Sequence, residues 1–185
     1  MTVYPNLNLL DGTKDFSGVW EWADTWTNDG TYKGLTVKKT TTQWGGIHKI
    51  FTAPKDGTYT FSAYVKSSGS NANTVRFSLL NSSEAPSLKR TFSNDFDWLR
   101  DSITVTLKAN DQVIARYEMT GSASDSALWT AGHKWEEGST ATPYMPSFSE
   151  VTASDYPCYI GTYTDNNSNE QSTDPLKYTW EKIVE

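Results

Sequence analysis

Two glutamates stand side by side in HKWEEGSTATPYMPSFSE, residues 133–150, where Glu136 and Glu137 follow Trp135 and precede a run of small hydroxylated residues. A carboxylate pair can divide acid and base work across a glycosidic bond, but the two groups must flank one cleft, roughly 5 to 10 Å apart. Neighbouring side chains on an extended strand point to opposite faces, so this pair cannot share a substrate there. Hydrolysis is therefore not expected of it, and the chain reads as a non-enzyme. The bland alternative is a strand end with Glu137 in water.

Aromatic rings beside polar forks suggest a different chemistry. A sugar ring offers C–H patches that stack on aromatic faces, and hydroxyls that need planar polar partners. A saccharide site therefore combines Trp or Tyr with Arg, Asp, Glu, Asn or Gln. WEWADTW places Trp20, Trp22 and Trp26 at even spacing, on one face if that segment is extended; the alternative is that they fill the core, Trp20 first. Tyr64, Arg76, Arg116 and Glu118 fall opposite the apolar residues of their strands, either as a binding face or as cross-strand ion pairs of small consequence. Trp44 in QWGGIH precedes two glycines, which predicts a loop tip from which an indole could hold a ligand. Trp98 in NDFDWLR opens a strand and could line the same end. DNNSN, residues 165–169, begins like a calcium loop, but Glu170 and Leu176 stand where that loop needs Gly and Glu, so it reads as a polar turn.

Strands must position these side chains. GTYTFSAYVKSS sets Tyr59, Phe61, Ala63 and Val65 on one face, with Thr60, Ser62, Tyr64 and Lys66 on the other. TVRFSLL predicts Val75, Phe77 and Leu79 inward and Arg76 and Ser78 outward. DSITVTLKA repeats the pattern with Ile103, Val105 and Leu107, and QVIARYEMT with Val113, Ala115, Tyr117 and Met119 against Ile114, Arg116 and Glu118. This period of two describes half-buried antiparallel strands. LTVKKTTT and GIHKIFTA read as two more, and APKDG, SSGSNAN and KANDQ supply turns. The expected fold is an all-β, antiparallel β-sandwich or jelly roll, with Phe61, Val65, Phe77, Ile103, Val105 and Tyr117 in its core. After Pro146 the texture changes: YPCYIGTYTD and LKYTWEKIV flank a polar stretch. Residues 1–148 are expected to form the domain and 149–185 a hairpin or linker too small for its own core.

Composition narrows the function classes. A chain of 185 residues supports one core, here built with eight Trp, ten Tyr and seven Phe. The net charge is −6, and Lys38-Lys39 and Lys89-Arg90 are the only basic doublets, so a nucleic-acid partner is not expected. No run of about 18 apolar residues predicts a membrane span. MTVYPNLNLLDGTKDF lacks a cationic region followed by an apolar run, so a secretory signal is not expected. Cys158 stands alone, and with two separated histidines it makes neither an internal disulfide nor a zinc constellation.

Four segments occur in a telling order: NLLDGTKDFSG, GTYTFSAYVKSS, WLRDSITVTL and AGHKWEEGSTATPYMPS. With them the chain resembles the jelly-roll carbohydrate-binding modules carried by tail and baseplate proteins of phages that infect Gram-positive bacteria. YPCYIGTYTDNNSNEQSTDPLKYTWEKI resembles the repeat that joins modules in phage structural proteins. The resemblance implies a non-catalytic saccharide-binding module of a virion tail, present in more than one copy. Its implied partners are host cell-wall polysaccharide and other tail proteins. A spacer that decorates the tail without binding sugar is the alternative. In such modules the glutamate matching Glu136 closes the last strand beside the N-terminal segment, where a structural calcium is often held. The resemblance thus implies Glu136 as a metal ligand, helped by Asn8 and the carbonyls up to Gly12. No cofactor beyond this is implied.

Overall fold

The structure is a computed structural model that describes residues 5–70, 72–121, 124–156, 159–165 and 172–182. Its strands are β1 (Thr27–Tyr32), β2 (Leu35–Thr40), β3 (Phe51–Thr52), β4 (Gly57–Ser68), β5 (Ala72–Leu80), β6 (Ser83–Glu84), β7 (Arg90–Thr91), β8 (Phe96–Leu107), β9 (Gln112–Gly121), β10 (Ala127–Glu137), β11 (Tyr159–Thr162) and β12 (Thr179–Lys182). The first sheet runs in the order β1-β2-β10-β4-β8, the second in the order β3-β9-β5-β6 with β7 also on β5. All these pairings are antiparallel. The result is the expected jelly-roll sandwich. Of the strands with the clearest alternation, β4 and β9 are interior to their sheets and β8 is the edge strand beside β4, each with one face turned to the core.

The core lies between the sheets. Tyr59, Phe61, Ala63 and Val65 of β4 meet Val113, Ala115, Tyr117 and Met119 of β9, as their alternation predicts. Val105 and Leu107 of β8 and Leu128 and Trp135 of β10 complete the first sheet's contribution, and Ile103 packs against it partly buried. Trp135 stacks on Phe51 with centroids 4.9 Å apart and planes 12° from parallel. The N-terminal segment closes one side with Leu10, Phe16 and Trp20.

Strand β5 is inverted relative to expectation. It pairs with β9 so that Arg76 lies opposite Tyr117 and Ser78 opposite Ala115. Opposed residues share a face, so Thr74, Arg76 and Ser78 point into the sandwich while Val75, Phe77 and Leu79 point out. Arg76 is only 4% exposed. The physical reason is Asp101, which faces inward from β8 opposite Ala63. Its carboxylate receives Nη1 of Arg76, the Tyr117 hydroxyl at 3.0 Å and Nη1 of Arg90 at 2.7 Å. Phe77, assigned to the core by its pattern, instead lies on the outer face beneath the Arg116 guanidinium at 5.1 Å.

The Trp20–Trp26 segment is not extended. A 3-10 turn spans Ala23–Thr25, and Trp22 precedes it with φ of 58°. The even spacing therefore does not align the rings. Trp20 and Trp26 are buried, whereas Trp22 is 62% exposed. In GIHKIFTA only Phe51–Thr52 forms a strand, and His48 adds a bridge to Glu21. At the C-terminal end β11 and β12 pair as a two-stranded sheet. Leu176, ahead of β12, packs over Gly138 at the end of β10. Cys158 and residues 166–169 of the calcium-like run lie outside the described residues.

Candidate functional site

The outer face of the first sheet carries a second apolar cluster. Leu35, Val37, Ala131 and Tyr144 are buried there, with Tyr32, Tyr64, Trp98 and Trp129 packed against them. The local cause is strand register: Arg100 lies opposite Tyr64, and Ala131 lies on the other side of Tyr64. A bulge in β10 between Ala131 and Lys134 makes this packing possible. Gly132 occupies it with φ of 62°, and a β-carbon there would stand 2.7 Å from Leu35 Cδ1 and 3.3 Å from Tyr64 Cδ2.

Beside this cluster opens a cleft of about 290 Å3, lined by Lys33, Leu35, Tyr64, Arg100, Pro143, Tyr144 and Trp180. Tyr32 stacks on Trp98 at 4.4 Å and 12°, and meets Tyr64 edge-on at 5.2 Å. The Lys33 ammonium lies over both tyrosines, at 5.7 and 6.0 Å. Arg100 sits 5.9 Å from the Tyr64 ring and donates to Ser62 Oγ at 2.9 Å and to the Thr142 carbonyl. Burial raises the pKa of Tyr144, and burial with the neighbouring Tyr64 raises that of Tyr32. Both phenols thus stay protonated at neutral pH. Trp129 is not an open platform: Lys39 and Lys66 lie over its ring at 5.1 and 5.2 Å, and its N–H donates to Asp29 at 2.6 Å.

The wall formed by Pro143 and Tyr144 is held from beneath. Lys134 has no exposed side-chain surface, and its ammonium donates to Thr142 Oγ1 at 2.9 Å and the Pro143 carbonyl at 2.8 Å. The equally buried Glu136 carboxylate lies 3.2 Å from that ammonium and accepts from the Thr142 hydroxyl at 2.5 Å. Burial pushes the Lys134 pKa down to about 8, with Glu136 opposing the shift, so the ammonium remains charged at neutral pH.

This arrangement bears on the expected calcium. Glu136 has its charge met by Lys134 and its oxygens occupied by Thr142 and Asn6. Asn8 Oδ1 accepts the backbone N–H groups of Leu10 and Trp135, while its amide donates to Thr13 and the His133 carbonyl. A hard cation needs several unengaged oxygens converging on one point. Asn8 and Glu136 do not fit that requirement, and among the described residues no group of three or more His, Cys, Asp or Glu is placed to hold a metal. Glu137 points away from Glu136 and pairs with Lys55 at 3.2 Å.

Of the residues singled out by sequence, the structure brings together Tyr64 and Trp98. Arg116 and Glu118 face outward from the second sheet, joined at 2.6 Å. Arg76 is in the core. Trp44 is 53% exposed at the edge of β9, its backbone N–H donating to the Met119 carbonyl at 3.1 Å. Sequence reading missed Arg100, Tyr32, Tyr144, Lys33 and Trp180. Arg100 was accessible, since it follows Trp98 by two residues on a strand. Tyr32 ends β1 next to the turn that carries Lys33, Tyr144 follows β10 and Trp180 lies in the hairpin. None of these segments has the even alternation that announces a face.

No family model matches the chain, and no curated protein matches it. Solved structures do. The tripod (BppUct-A-L) from the baseplate of bacteriophage Tuc2009 is similar at 25% identity with a TM-score of 0.52, over 99% of this chain and 73% of that one. The CBM22-1 xylan-binding domain of Xyn10C from Paenibacillus barcinonensis is 14% identical with a TM-score of 0.50, over 76% of this chain and all of that one. TmCBM61, solved with β-1,4-galactotriose, is 9% identical with a TM-score of 0.50, over 71% of this chain and 99% of that one. The last two share the fold. The likeness to the baseplate tripod extends through the hairpin, in agreement with the resemblance read from sequence.

Proposed function

We propose that the protein is a non-catalytic saccharide-binding module of a phage tail or baseplate, which helps the virion adhere to host cell-wall polysaccharide. The observation that carries this reading is the cleft on the first sheet. It joins aromatic surfaces from Tyr64, Tyr144 and Trp180 to the donors of Arg100 and Lys33 within about 290 Å3. The Tuc2009 baseplate tripod supports the virion setting, and the xylan-binding and galactotriose-bound modules support the ligand class. Hydrolysis would need two carboxylates across one cleft, and none lines this one among the described residues. No helix among the described residues is long and apolar enough to cross a membrane. One cleft of this size binds weakly. Several copies on a virion would raise the effective affinity by roughly 10² to 10⁴-fold.

The test is adhesion of the labelled protein to host cells and to their isolated wall polysaccharide. Trp180→Ala and Arg100→Ala, both in the lining of the cleft, are expected to weaken binding about tenfold or more each, while the variants stay folded. Trp44→Ala is expected to leave binding at this cleft unchanged, because Trp44 belongs to the second sheet's edge. No adhesion by the unaltered protein would favour the spacer, and full adhesion by a folded Trp180→Ala, Arg100→Ala double variant would move binding away from this cleft.

A further inference from the structure

A second cleft, of about 310 Å3, opens on the outer face of the second sheet, across the sandwich from the first. Leu79 and Ile114 form its floor, Trp22 and Ile50 its walls, and Glu21, Gln112 and Arg116 its polar rim. Trp22 is the telling residue. A bulky side chain at φ of 58° is a strained choice, and here the strain is not offset by burial, since the ring is 62% exposed. The ring is nonetheless held in place. It rests over Gly45, where an added β-carbon would meet Trp22 Cε3 at 3.4 Å. The backbone of neighbouring Glu21 is clamped to His48 by reciprocal hydrogen bonds of 2.9 and 3.2 Å.

The polar groups of the rim are equally fixed. His48 is buried, with Nδ1 2.8 Å from the Gly46 carbonyl and Nε2 3.2 Å from the Glu21 carboxylate. Arg116 spends only its Nε on Glu118 among the described residues, with its guanidinium over Phe77 at 5.1 Å. Its two Nη groups remain as donors at the cleft. A planar indole face beside a guanidinium, a carboxylate and a carboxamide matches the stacking and paired-hydroxyl needs of a sugar ring. We propose that this cleft is a second saccharide-binding site, independent of the first, so that one module engages two sugar units on opposite faces.

The test follows the indole N–H signals of the full 15N-labelled chain by NMR while glucose, galactose, rhamnose or N-acetylglucosamine is added. The expected result is a saturable shift of the Trp22 signal with at least one of them, persisting in Arg100→Ala, which removes a lining residue of the first cleft. In Trp22→Gly, which suits the positive φ and should keep or raise Tm, the response of the Gln112 carboxamide should weaken at least about tenfold. A silent Trp22 with responding Trp98 and Trp180 overturns this inference and leaves the first cleft standing. Silence of all three overturns both. A Trp22 signal that follows protein concentration rather than sugar marks a contact between copies and also overturns it.

Discussion

Asp101 has no exposed side-chain surface, yet it is the hub on which Arg76, Arg90 and the Tyr117 hydroxyl converge. A buried ion pair contributes little net stability over an apolar replacement, but breaking one side leaves an unmatched charge in the core. Asp101→Ala is therefore expected to cost about 3 to 5 kcal/mol in denaturant unfolding, whereas Asp101→Leu with Arg76→Met should recover most of it. Equal losses in the single and double variants would show that the charges are not coupled. His133 gives a second prediction at this scale. It is buried among the edges of Phe16, Trp20, Phe61 and Tyr117, and burial pushes its pKa from 6.5 down to about 3. The folded state binds fewer protons than the unfolded state between those values, so stability is full above about pH 6.5 and falls as pH drops toward 3. The slope from this residue approaches about 1.4 kcal/mol per pH unit. Unfolding free energies at pH 7 and 4.5, compared with those of His133→Gln, check it; identical pH slopes would count against a buried neutral imidazole.

Among the elements, β10 does most to shape the first cleft. Its bulge lets Ala131 and Tyr144 close under Tyr64, while beyond it Lys134 and Glu136 hold the Thr142–Tyr144 segment. Gly132→Ala would place a methyl at positive φ against Leu35 and Tyr64. It should cost more than about 1 kcal/mol, which lowers Tm by about 2 to 4 °C for each kcal/mol lost. Saccharide binding should weaken with it. Calorimetry showing an unchanged Tm would mean that the bulge tolerates a β-carbon. Strand β5 illustrates a limit of periodicity. Its alternation was legible but its phase was not, because an apolar–polar pattern does not say which face is dry when a buried carboxylate awaits the polar one.

At the scale of the whole molecule, both apolar clusters of the sandwich end before residue 149, and the C-terminal hairpin adds Trp180 to the cleft rim. The indole is fixed within the hairpin by its N–H bond to the Pro175 carbonyl at 2.9 Å and by Tyr178 at 5.3 Å. A chain ending at Thr152 is expected to keep its β-rich circular dichroism and its Tm within a few degrees. Its saccharide affinity should fall by roughly tenfold as one aromatic wall is lost. Loss of folding would make the hairpin integral to the sandwich, and unchanged affinity would remove Trp180 from the site.

Local pattern alone determined the antiparallel strands, the inward rows of β4 and β9, the hairpin and the unsuitability of Glu136 and Glu137 as a catalytic pair. Each of these follows from side-chain alternation, a property of neighbours along the chain. Tertiary structure alone decided which aromatics share a surface. Tyr32, Tyr64, Trp98, Tyr144 and Trp180 come from five segments, and their meeting depends on sheet order, a one-residue bulge and a turn at the end of β10. It also decided that Arg76 is core, that Trp22 is exposed while Trp20 and Trp26 are not, and that an ammonium from Lys134 neutralises Glu136. A charge is satisfied by whatever partner the fold brings within a few ångströms, and no spacing along the sequence records that distance.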